Sequence, residues 1–335
     1  MRCPTLAELP PPPPGRTGWP WTEESPLCAD ALPRLTVITP SYMQGEFIEQ
    51  TIRSVLLQGY PNLEYFILDG GSRDATQEII RKYEPWLAGW RCAKDAGQSA
   101  AVNEGWARAT GEVLAWLNSD DWYFPGALPL VGRRFVAEPS VAWLAGAVDD
   151  VDVAGKFLKR HPAVAAPLAR ALGRKEYGCY QPGMFWRRTL IEKVGPLDVE
   201  LNCAFDQDFW LRSLLAGFSM TELAEPVACF RVHGGSKTGG LSPRALEEDW
   251  KLFARYSPHL APDERRQAAA WLRAYEADYL VSCTYKLLQA GRRGEALRYL
   301  LRKISLAPLV RPRRAWLGAV LRTLVTGRAP EWFTR

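Results

Sequence analysis

Two adjacent acidic residues, Asp120 and Asp121, directly follow a short apolar segment, Val113–Leu117, that predicts a buried strand. Such a pair is poorly suited to a hydrophobic core, but in a turn both carboxylates can converge on one ligand. Mg²⁺ or Mn²⁺ typically takes one or two protein carboxylates and completes its shell with diphosphate oxygens. The pair therefore predicts a Mg²⁺ or Mn²⁺ site beside a bound phosphate group. The alternative is an Asp pair that caps a turn or is solvated.

Two other loops carry side chains suited to a nucleoside. Asp69 ends the apolar segment Leu63–Asp69, and its carboxylate can accept a hydrogen bond from an N–H group of a base. The glycines that follow it let the backbone pass close to a ligand. Tyr42 can offer an aromatic face to the base. Each signal is weak by itself, because many turns contain Asp-Gly-Gly-Ser and many loops expose a tyrosine.

The elements that must position these residues alternate along the chain. The predicted strands are Leu35–Pro40, Leu63–Asp69, Arg91–Lys94 and Val113–Leu117, and the predicted helices between them are 45–58, 74–83 and Ser99–Ala109. Alternation with short connections predicts parallel pairing and right-handed crossovers. Ligands of such open sheets bind beyond the carboxyl ends of the strands. We therefore expect an α/β fold with a mostly parallel central sheet flanked by helices, and loops 39–42, 69–72 and 118–121 at one edge.

The rest of the chain suggests three parts. Residues 1–34 are predicted to be a proline-rich leader arm, whose Gly18–Trp21 segment can pack on the domain that follows. Residues 35–240 are expected to form that domain, and residues 241–335 a helical extension. Between residues 141 and 235 the pattern predicts strands near Val141–Val148 and Pro226–Val232, and helices near Arg188–Val194 and Asp206–Leu215.

Composition narrows the class of protein. The 335 residues are 47% hydrophobic and 24% charged, and the net charge of +5 is too small to indicate a nucleic-acid partner. The seven cysteines are scattered singly, which argues against a structural zinc and a disulfide framework. The start of the chain lacks a secretory signal, and the apolar runs are too short to span a membrane. We therefore expect a cytoplasmic protein, either soluble or peripheral on the inner face of the membrane.

Several motifs in order and spacing resemble glycosyltransferase family 2, the inverting enzymes of GT-A fold. They are Val-Ile-Thr-Pro-Ser-Tyr (37–42), Leu-Asp-Gly-Gly-Ser-Arg-Asp (68–74), Asp-Ala-Gly-Gln-Ser-Ala-Ala-Val-Asn-Glu-Gly (95–105), Leu-Asn-Ser-Asp-Asp (117–121), Gln-Pro-Gly (181–183), Phe-Asp-Gln-Asp-Phe-Trp-Leu-Arg (205–212) and Phe-Arg-Val-His (230–233). The resemblance thus runs from residue 35 to residue 233. It is far more specific than any one motif.

The resemblance implies roles on the donor side of the site. Pro40 and Tyr42 would line the nucleoside pocket, and Asp69 would hold the base. Asp120 would contact the ribose or the sugar, and Asp121 would bind the metal that bridges the diphosphate.

The resemblance places further residues near the donor and the metal. Gln98 and Asn103 match the family's donor-site stretch, although as plain sequence they only begin a helix. His233 follows a predicted strand and precedes a glycine pair. It is expected to be a further metal ligand or to touch the diphosphate, and the alternative is a structural histidine.

The general base is expected at Asp206. The family's usual pattern there is Glu-Asp, whereas this chain has Phe205-Asp206, so Asp208 stays a second candidate. Two residues apart on a helix, the two side chains point in different directions, and only one should face the acceptor. Either could instead be a helix N-cap, a position that Asp favours.

The expected reaction moves a sugar from a nucleoside-diphosphate sugar, with a UDP- or dTDP-sugar favoured, to a hydroxyl of a glycan or lipid-linked acceptor. The setting would be the assembly of a cell-surface polysaccharide or glycolipid. Two alternatives are a nucleotidyltransferase, which should carry a basic glycine-rich loop near the first strand, and a non-catalytic nucleotide-sugar binding protein, which should have lost these acids. The arginine-rich segments Arg292–Arg302 and Arg311–Arg322 predict packed helices with a solvated basic face, or peripheral docking on an anionic membrane.

Overall fold

The computed structural model describes residues 3–176, 178–234, 243–289 and 291–302. They divide into two compact units. The first contains the chain up to Ala165 together with Gly178–His233, and the second contains Ala166 to residue 177 and the chain from Gly234 onward. The residues discussed above as site candidates all belong to the first unit.

Four parallel strands form one half of the sheet in the first unit. They are β1 (Leu35–Ser41), β2 (Leu63–Asp69), β3 (Gly89–Cys92) and β4 (Val113–Trp116), connected by helices α1 (Ile48–Leu56), α2 (Thr76–Tyr83) and α3 (Gln98–Arg108). Their order in the sheet is β3-β2-β1-β4. The register pairs Ser41 with Asp69, so β1 and β2 end at the same edge. The expected arrangement of this half is confirmed.

The other half of the sheet mixes directions. It contains β5 (Trp122–Tyr123), α4 (Ala127–Ala137), β6 (Trp143–Val151), β7 (Phe157–His161), β8 (Met184–Arg187), α6 (Arg188–Val194), α7 (Phe205–Leu215) and β9 (Thr221–Arg231), while α5 (Leu168–Leu172) belongs to the second unit. The order continues β4-β8-β6-β9-β5, with β7 on β6. Strand β8 is antiparallel to both of its neighbours, whereas β6 and β9 are parallel.

The pairing of β5 with β9 matters most for the site. Trp122, the residue after the acidic pair, lies opposite Cys229 in an antiparallel register. This pairing brings the loop at the end of β4 beside the end of β9, where Arg231 and His233 lie.

A buried apolar cluster fills the space between the sheet and its helices, and residues before β1 contribute to it. Leu9 and Leu32 belong to this cluster. The fully buried Arg53 of α1 donates hydrogen bonds to the carbonyl oxygens of Pro10, at 2.8 Å, and of Pro20 and Trp21, both at 3.0 Å. The segment before β1 is therefore anchored on the first unit by packing and by one buried guanidinium.

The second unit is helical. Besides α5 it contains α8 (Pro243–Tyr256), α9 (Pro262–Gln289) and α10 (Arg293–Arg302). Arg174 forms an ion pair of 2.6 Å with the buried Asp249. Gly291 adopts φ +72° in the turn before α10, a conformation that glycine tolerates best. The predicted segment Arg311–Arg322 and the boundary expected at residue 240 lie outside the described residues.

The predicted fold class, an α/β sheet flanked by helices with a helical C-terminal region, is confirmed. Among the helices in the described part of the chain, none is both long enough and apolar enough to cross a membrane.

Candidate active site

Three loops meet at the edge of the sheet where β1, β2 and β4 end. The side-chain amide of Gln98, at the start of α3, donates to Asn118 Oδ1 at 2.7 Å, just beyond β4. A Cβ atom at Gly70 would lie 3.3 Å from the ring of Tyr42 and 3.4 Å from the carboxylate of Asp95. The loops 39–42, 69–72 and 118–121 therefore lie close together, linked by the segment from Asp95 to Gln98.

Asp120, which follows β4, and His233, which follows β9, meet beyond the ends of these strands. Asp120 Oδ2 and His233 Nε2 are 2.9 Å apart, and their side chains are 15% and 11% exposed. The ring of Phe47 packs against His233 with 4.9 Å between centroids. An acid and an imidazole thus meet at the surface of the site.

Asp120 and His233 are within hydrogen-bond distance of each other, and the same separation is compatible with two ligands of one divalent metal. Adjacent ligands of an octahedral ion with bonds of about 2.1 Å are about 3 Å apart. Among the described residues, no group of three or more Asp, Glu, His or Cys side chains could hold a metal ion. Mg²⁺ in proteins usually keeps waters and substrate phosphates as ligands beside one or two carboxylates.

Asp121 occupies a different environment. It is fully buried, and its Oδ1 atom accepts the backbone N–H of Arg231 at 2.9 Å. Its own carbonyl oxygen accepts a hydrogen bond of 2.6 Å from Thr51. Burial, with the nearby charge of Asp120 as a second cause, holds the pKa of Asp121 well above its usual range. Of the two acids, only Asp120 meets His233.

Arg231 is a functional candidate that the sequence reasoning missed. Its guanidinium donates to the carbonyl oxygen of Asp120 at 3.0 Å and to the side chain of Gln50 at 2.8 Å. It also lies between the rings of Phe47 and Trp122, at 4.7 and 4.6 Å from their centroids. Burial lowers the pKa of Arg231, opposed by the carboxylates, but an arginine stays protonated in proteins. The signal was its position two residues before His233.

Asp69 is fully buried, and its carboxylate bonds residues of the turn that follows it. Its carboxylate accepts the backbone N–H groups of Gly71 and Ser72 at 3.1 and 2.8 Å, and the Ser72 hydroxyl at 2.6 Å. The Cys92 thiol donates to it as well, with 2.8 Å between sulfur and oxygen. Burial, and then Asp69 itself, raise the pKa of Cys92 to about 11, so the thiol carries this proton at neutral pH. These contacts shape the turn beside Tyr42, which is 64% exposed.

Asn103 and Gln98, predicted together, take different positions. Asn103 pairs with the backbone of Leu197, donating to its carbonyl oxygen at 2.9 Å and accepting its N–H at 2.8 Å. The amide nitrogen and oxygen of Asn103 are therefore both bonded to the backbone of Leu197, whereas Gln98 lies at the edge of the sheet.

The two candidates for the general base, Asp206 and Asp208, have different environments. Asp208 is fully buried and forms an ion pair of 2.7 Å with Arg212, which donates further to the carbonyl oxygens of Val194 and Pro196. Asp206 is half-buried in the first turn of α7, and its Oδ1 atom accepts the N–H of Gln207 at 2.7 Å. Asp208 is thus buried and paired with Arg212, and Asp206 is the more accessible acid.

Aromatic packing ties α7 to the end of β4. Phe209 lies 5.2 Å from Trp106 and 5.6 Å from Trp186, measured between ring centroids. Trp186 stacks on Trp116 at 4.8 Å, and the Trp116 carbonyl oxygen accepts a 2.6 Å hydrogen bond from Gln181. Because Trp116 is the last residue of β4, this cluster fixes the helix of Asp206 relative to the loop of Asp120.

Known proteins share this sequence pattern. The model of the family described as Glycosyl transferase family 2 matches residues 36–195. An uncharacterised glycosyltransferase of Mycobacterium tuberculosis is 30% identical over 73% of this chain and 92% of its own. TuaG of Bacillus subtilis, whose name assigns it to teichuronic acid biosynthesis, is 38% identical over 66% of this chain and 87% of its own.

Solved structures share the fold. S. aureus TarS in complex with UDP-GlcNAc superposes with a TM-score of 0.56 at 18% identity, covering 87% of this chain and 90% of that one. A mannosyltransferase of Pyrobaculum calidifontis, in complex with GDP-Man and Mn²⁺, gives a TM-score of 0.55 at 20% identity, covering 96% and 90%. At these identities the likeness concerns the fold.

Proposed function

Because the chain belongs to glycosyltransferase family 2, we propose that it is a metal-dependent, inverting enzyme that moves a sugar from a nucleoside-diphosphate sugar to an acceptor hydroxyl. The observation that carries this proposal is the Asp120–His233 pair beyond the end of β4, with Phe47 of the segment after β1 packed on the imidazole. The mannosyltransferase of Pyrobaculum calidifontis, whose structure contains Mn²⁺, supports the proposed metal dependence.

Asp120 and His233 would hold Mg²⁺ or Mn²⁺, whose positive charge stabilises a leaving diphosphate when it is bound. This assignment gives Asp120 the role that the sequence suggested for Asp121. Asp121 and Arg231 position the pair instead: Arg231 holds the Asp120 carbonyl oxygen, and Asp121 holds the backbone of Arg231. A buried carboxylate bonded in this way is suited to fixing a loop.

Donor binding uses the neighbouring loops. Pro40 and Tyr42 would line the nucleoside pocket, with Gln98 near the donor. Asp69 would act by shaping the turn, because its buried carboxylate already accepts four hydrogen bonds. Asn103 would act by holding Leu197. The nucleotides UDP-GlcNAc and GDP-Man in the neighbouring structures support a nucleoside-diphosphate sugar as donor.

Asp206 would remove the proton from the acceptor hydroxyl as the new glycosidic bond forms. Its half-burial at the start of α7 supports this role, whereas the ion pair of Asp208 with Arg212 argues against Asp208. The acceptor would be a glycan or a lipid-linked glycan in cell-surface polysaccharide assembly, at the cytoplasmic face of the membrane. The name of TuaG supports that setting.

The test is nucleotide binding and transfer with a panel of UDP-, dTDP- and GDP-sugars, each with Mn²⁺ and with EDTA. We expect Asp120→Ala and His233→Ala each to weaken metal-dependent binding of the nucleoside diphosphate at least tenfold. Equal binding and transfer in EDTA would refute the metal, and no donor consumed from the whole panel would refute the transfer.

The chain offers a matched control. Asp150 and His161 form a second acid–imidazole pair, with Nε2 and Oδ2 2.7 Å apart and side chains 22% and 12% exposed. It joins β6 to β7. His161→Ala should therefore leave metal-dependent nucleotide binding unchanged. If it weakened binding as much as His233→Ala, the effect would be one of general stability.

A further inference from the structure

A cavity of about 490 Å³ lies behind the acidic loop, within the first unit. Its walls come from residues 15–21 of the leader, from β5 and the residues after it, and from the hairpin of β6 and β7. Its volume lies within the range of about 300–1,000 Å³ that is usual for sites of small ligands. Five aromatic residues line it, namely Trp19, Trp21, Trp122, Phe124 and Phe157.

The aromatic walls are held in place before any ligand arrives. The Trp19 indole N–H donates to the carbonyl oxygen of Tyr123 at 2.8 Å. Trp19 and Phe124 pack on a small buried cluster that includes Trp122. The buried Arg53 fixes the carbonyl oxygen of Trp21. A ligand would therefore meet rigid rings, which lowers the entropy cost of binding.

Polar groups stand between the rings. Arg16, Gln50 and Asp149 line the same cavity, and Asp149 accepts hydrogen bonds from Arg160 at 2.7 and 2.8 Å. The Gln50 oxygen accepts from Arg231, and a side-chain amide also carries two N–H donors. The cavity thus offers donors and acceptors beside aromatic rings. Trp21 and Trp122 are mostly buried, with arginines over their faces, whereas Phe157 is 55% exposed.

The cavity lies next to the candidate active site, and Arg231 stands between the two. Trp122 directly follows Asp121, and the guanidinium of Arg231 lies over its ring at 4.6 Å. The same guanidinium bonds both Gln50 in the cavity wall and the carbonyl oxygen of Asp120. One buried side chain therefore separates the cavity from the acidic loop.

We propose that this cavity binds a pyranose unit of the glycan acceptor, at a position away from the hydroxyl that reacts. A pyranose ring has an apolar C–H face that packs on an indole or phenyl ring, and its hydroxyls need donors and acceptors at the ring edge. A lipid chain would offer no polar partner to the N–H groups of Arg16 and Gln50, which line the cavity. The proposal rests on the proposed function, since it takes the acceptor to be a glycan.

The test uses two neighbours in β7. Phe157 lines the cavity, whereas Leu158 does not, and the two side chains are 55% and 52% exposed. Because strand residues alternate between faces, Phe157→Ala and Leu158→Ala remove similar apolar area on opposite sides. Binding of cellobiose, chitobiose, maltose and lactose is measured without donor, by saturation-transfer NMR and tryptophan fluorescence.

At least one disaccharide should bind the wild-type protein, and Phe157→Ala should weaken its affinity about fivefold or more, with Leu158→Ala near wild type. Donor hydrolysis by water should be the same in all three proteins. No binding by any disaccharide, or equal loss in both variants, would overturn the proposal. So would binding of phosphatidylglycerol vesicles that Phe157→Ala abolishes while disaccharides have no effect. Because sugar binding is measured without donor, failure here is distinguishable from a failure to consume any nucleotide sugar.

Discussion

Replacing Asp206 with asparagine separates proton transfer from binding. The amide keeps the size of the side chain and an oxygen that can accept the Gln207 N–H, but it cannot take the acceptor's proton. General base catalysis typically contributes about 10²–10⁴-fold. We therefore expect turnover to fall about 10²-fold or more, equivalent to at least about 2.7 kcal/mol of transition-state stabilisation. Donor affinity should stay near that of the wild type.

Asp208→Asn provides the contrast because its environment is structural. The amide oxygen can still accept a hydrogen bond from Arg212, but the buried charge that pairs with the guanidinium is lost. The expected loss is about 1–3 kcal/mol of unfolding free energy. For a unit of this size that corresponds to a fall in Tm of about 2–12 °C. Turnover below the melting range should change only a few-fold.

Three measurements on each variant complete this test: donor affinity by calorimetry, turnover by release of nucleoside diphosphate, and Tm by scanning calorimetry. The assignment of the base would be refuted if Asp208→Asn abolished turnover while Asp206→Asn retained it. A fall in turnover that came with weakened donor binding would place Asp206 in the donor site. A shared loss of Tm in both variants would mean that both acids are structural.

Three further predictions concern buried polar residues. Asp69→Asn should lower the unfolding free energy by about 1–3 kcal/mol, because an amide cannot accept all four donors; an unchanged urea midpoint would contradict this. Arg231→Met should lower the unfolding free energy by about 3–5 kcal/mol and weaken Mn²⁺-dependent nucleotide binding. The two effects are measured by thermal melting and by calorimetry, and wild-type values in both would rule out a positioning role. Arg53→Met should release the leader, seen as faster limited proteolysis before β1, and unchanged protection would show that packing alone holds it.

The first half of the fold could be predicted because its signals are local. The segment Leu63–Asp69 is both predicted and observed with the same bounds, and the three ligand loops meet where parallel strands must end. Each strand there is a short apolar run between turn residues, so the local pattern is enough to locate the strand. The helix Arg188–Val194 also has the predicted bounds.

The second half depends on pairing between distant segments. Strand β5 has two residues, too few for any period to appear, and it exists because Trp122 and Tyr123 pair with β9. Strand β7 is mostly exposed and ends in Lys-Arg-His, so no apolar alternation marks it. Arg231 lies within the Phe-Arg-Val-His motif, but its acceptors are more than 70 residues away in the chain, at Gln50, Asp120 and Val153, so the motif alone does not indicate what it bonds.

The same dependence on distant pairing explains why we propose Asp120, rather than Asp121, as the metal ligand. Spacing places both acids after β4, and from spacing alone either carboxylate could face a ligand. The pairing of Trp122 with Cys229 sets the backbone direction one residue after Asp121, and that carboxylate then lies against the backbone N–H of Arg231. Asp120, one residue earlier, remains at the edge and meets His233, which β9 delivers two residues beyond Arg231. The short strand after the motif, rather than the motif itself, therefore decides which acid is buried against the Arg231 backbone and which lies beside His233.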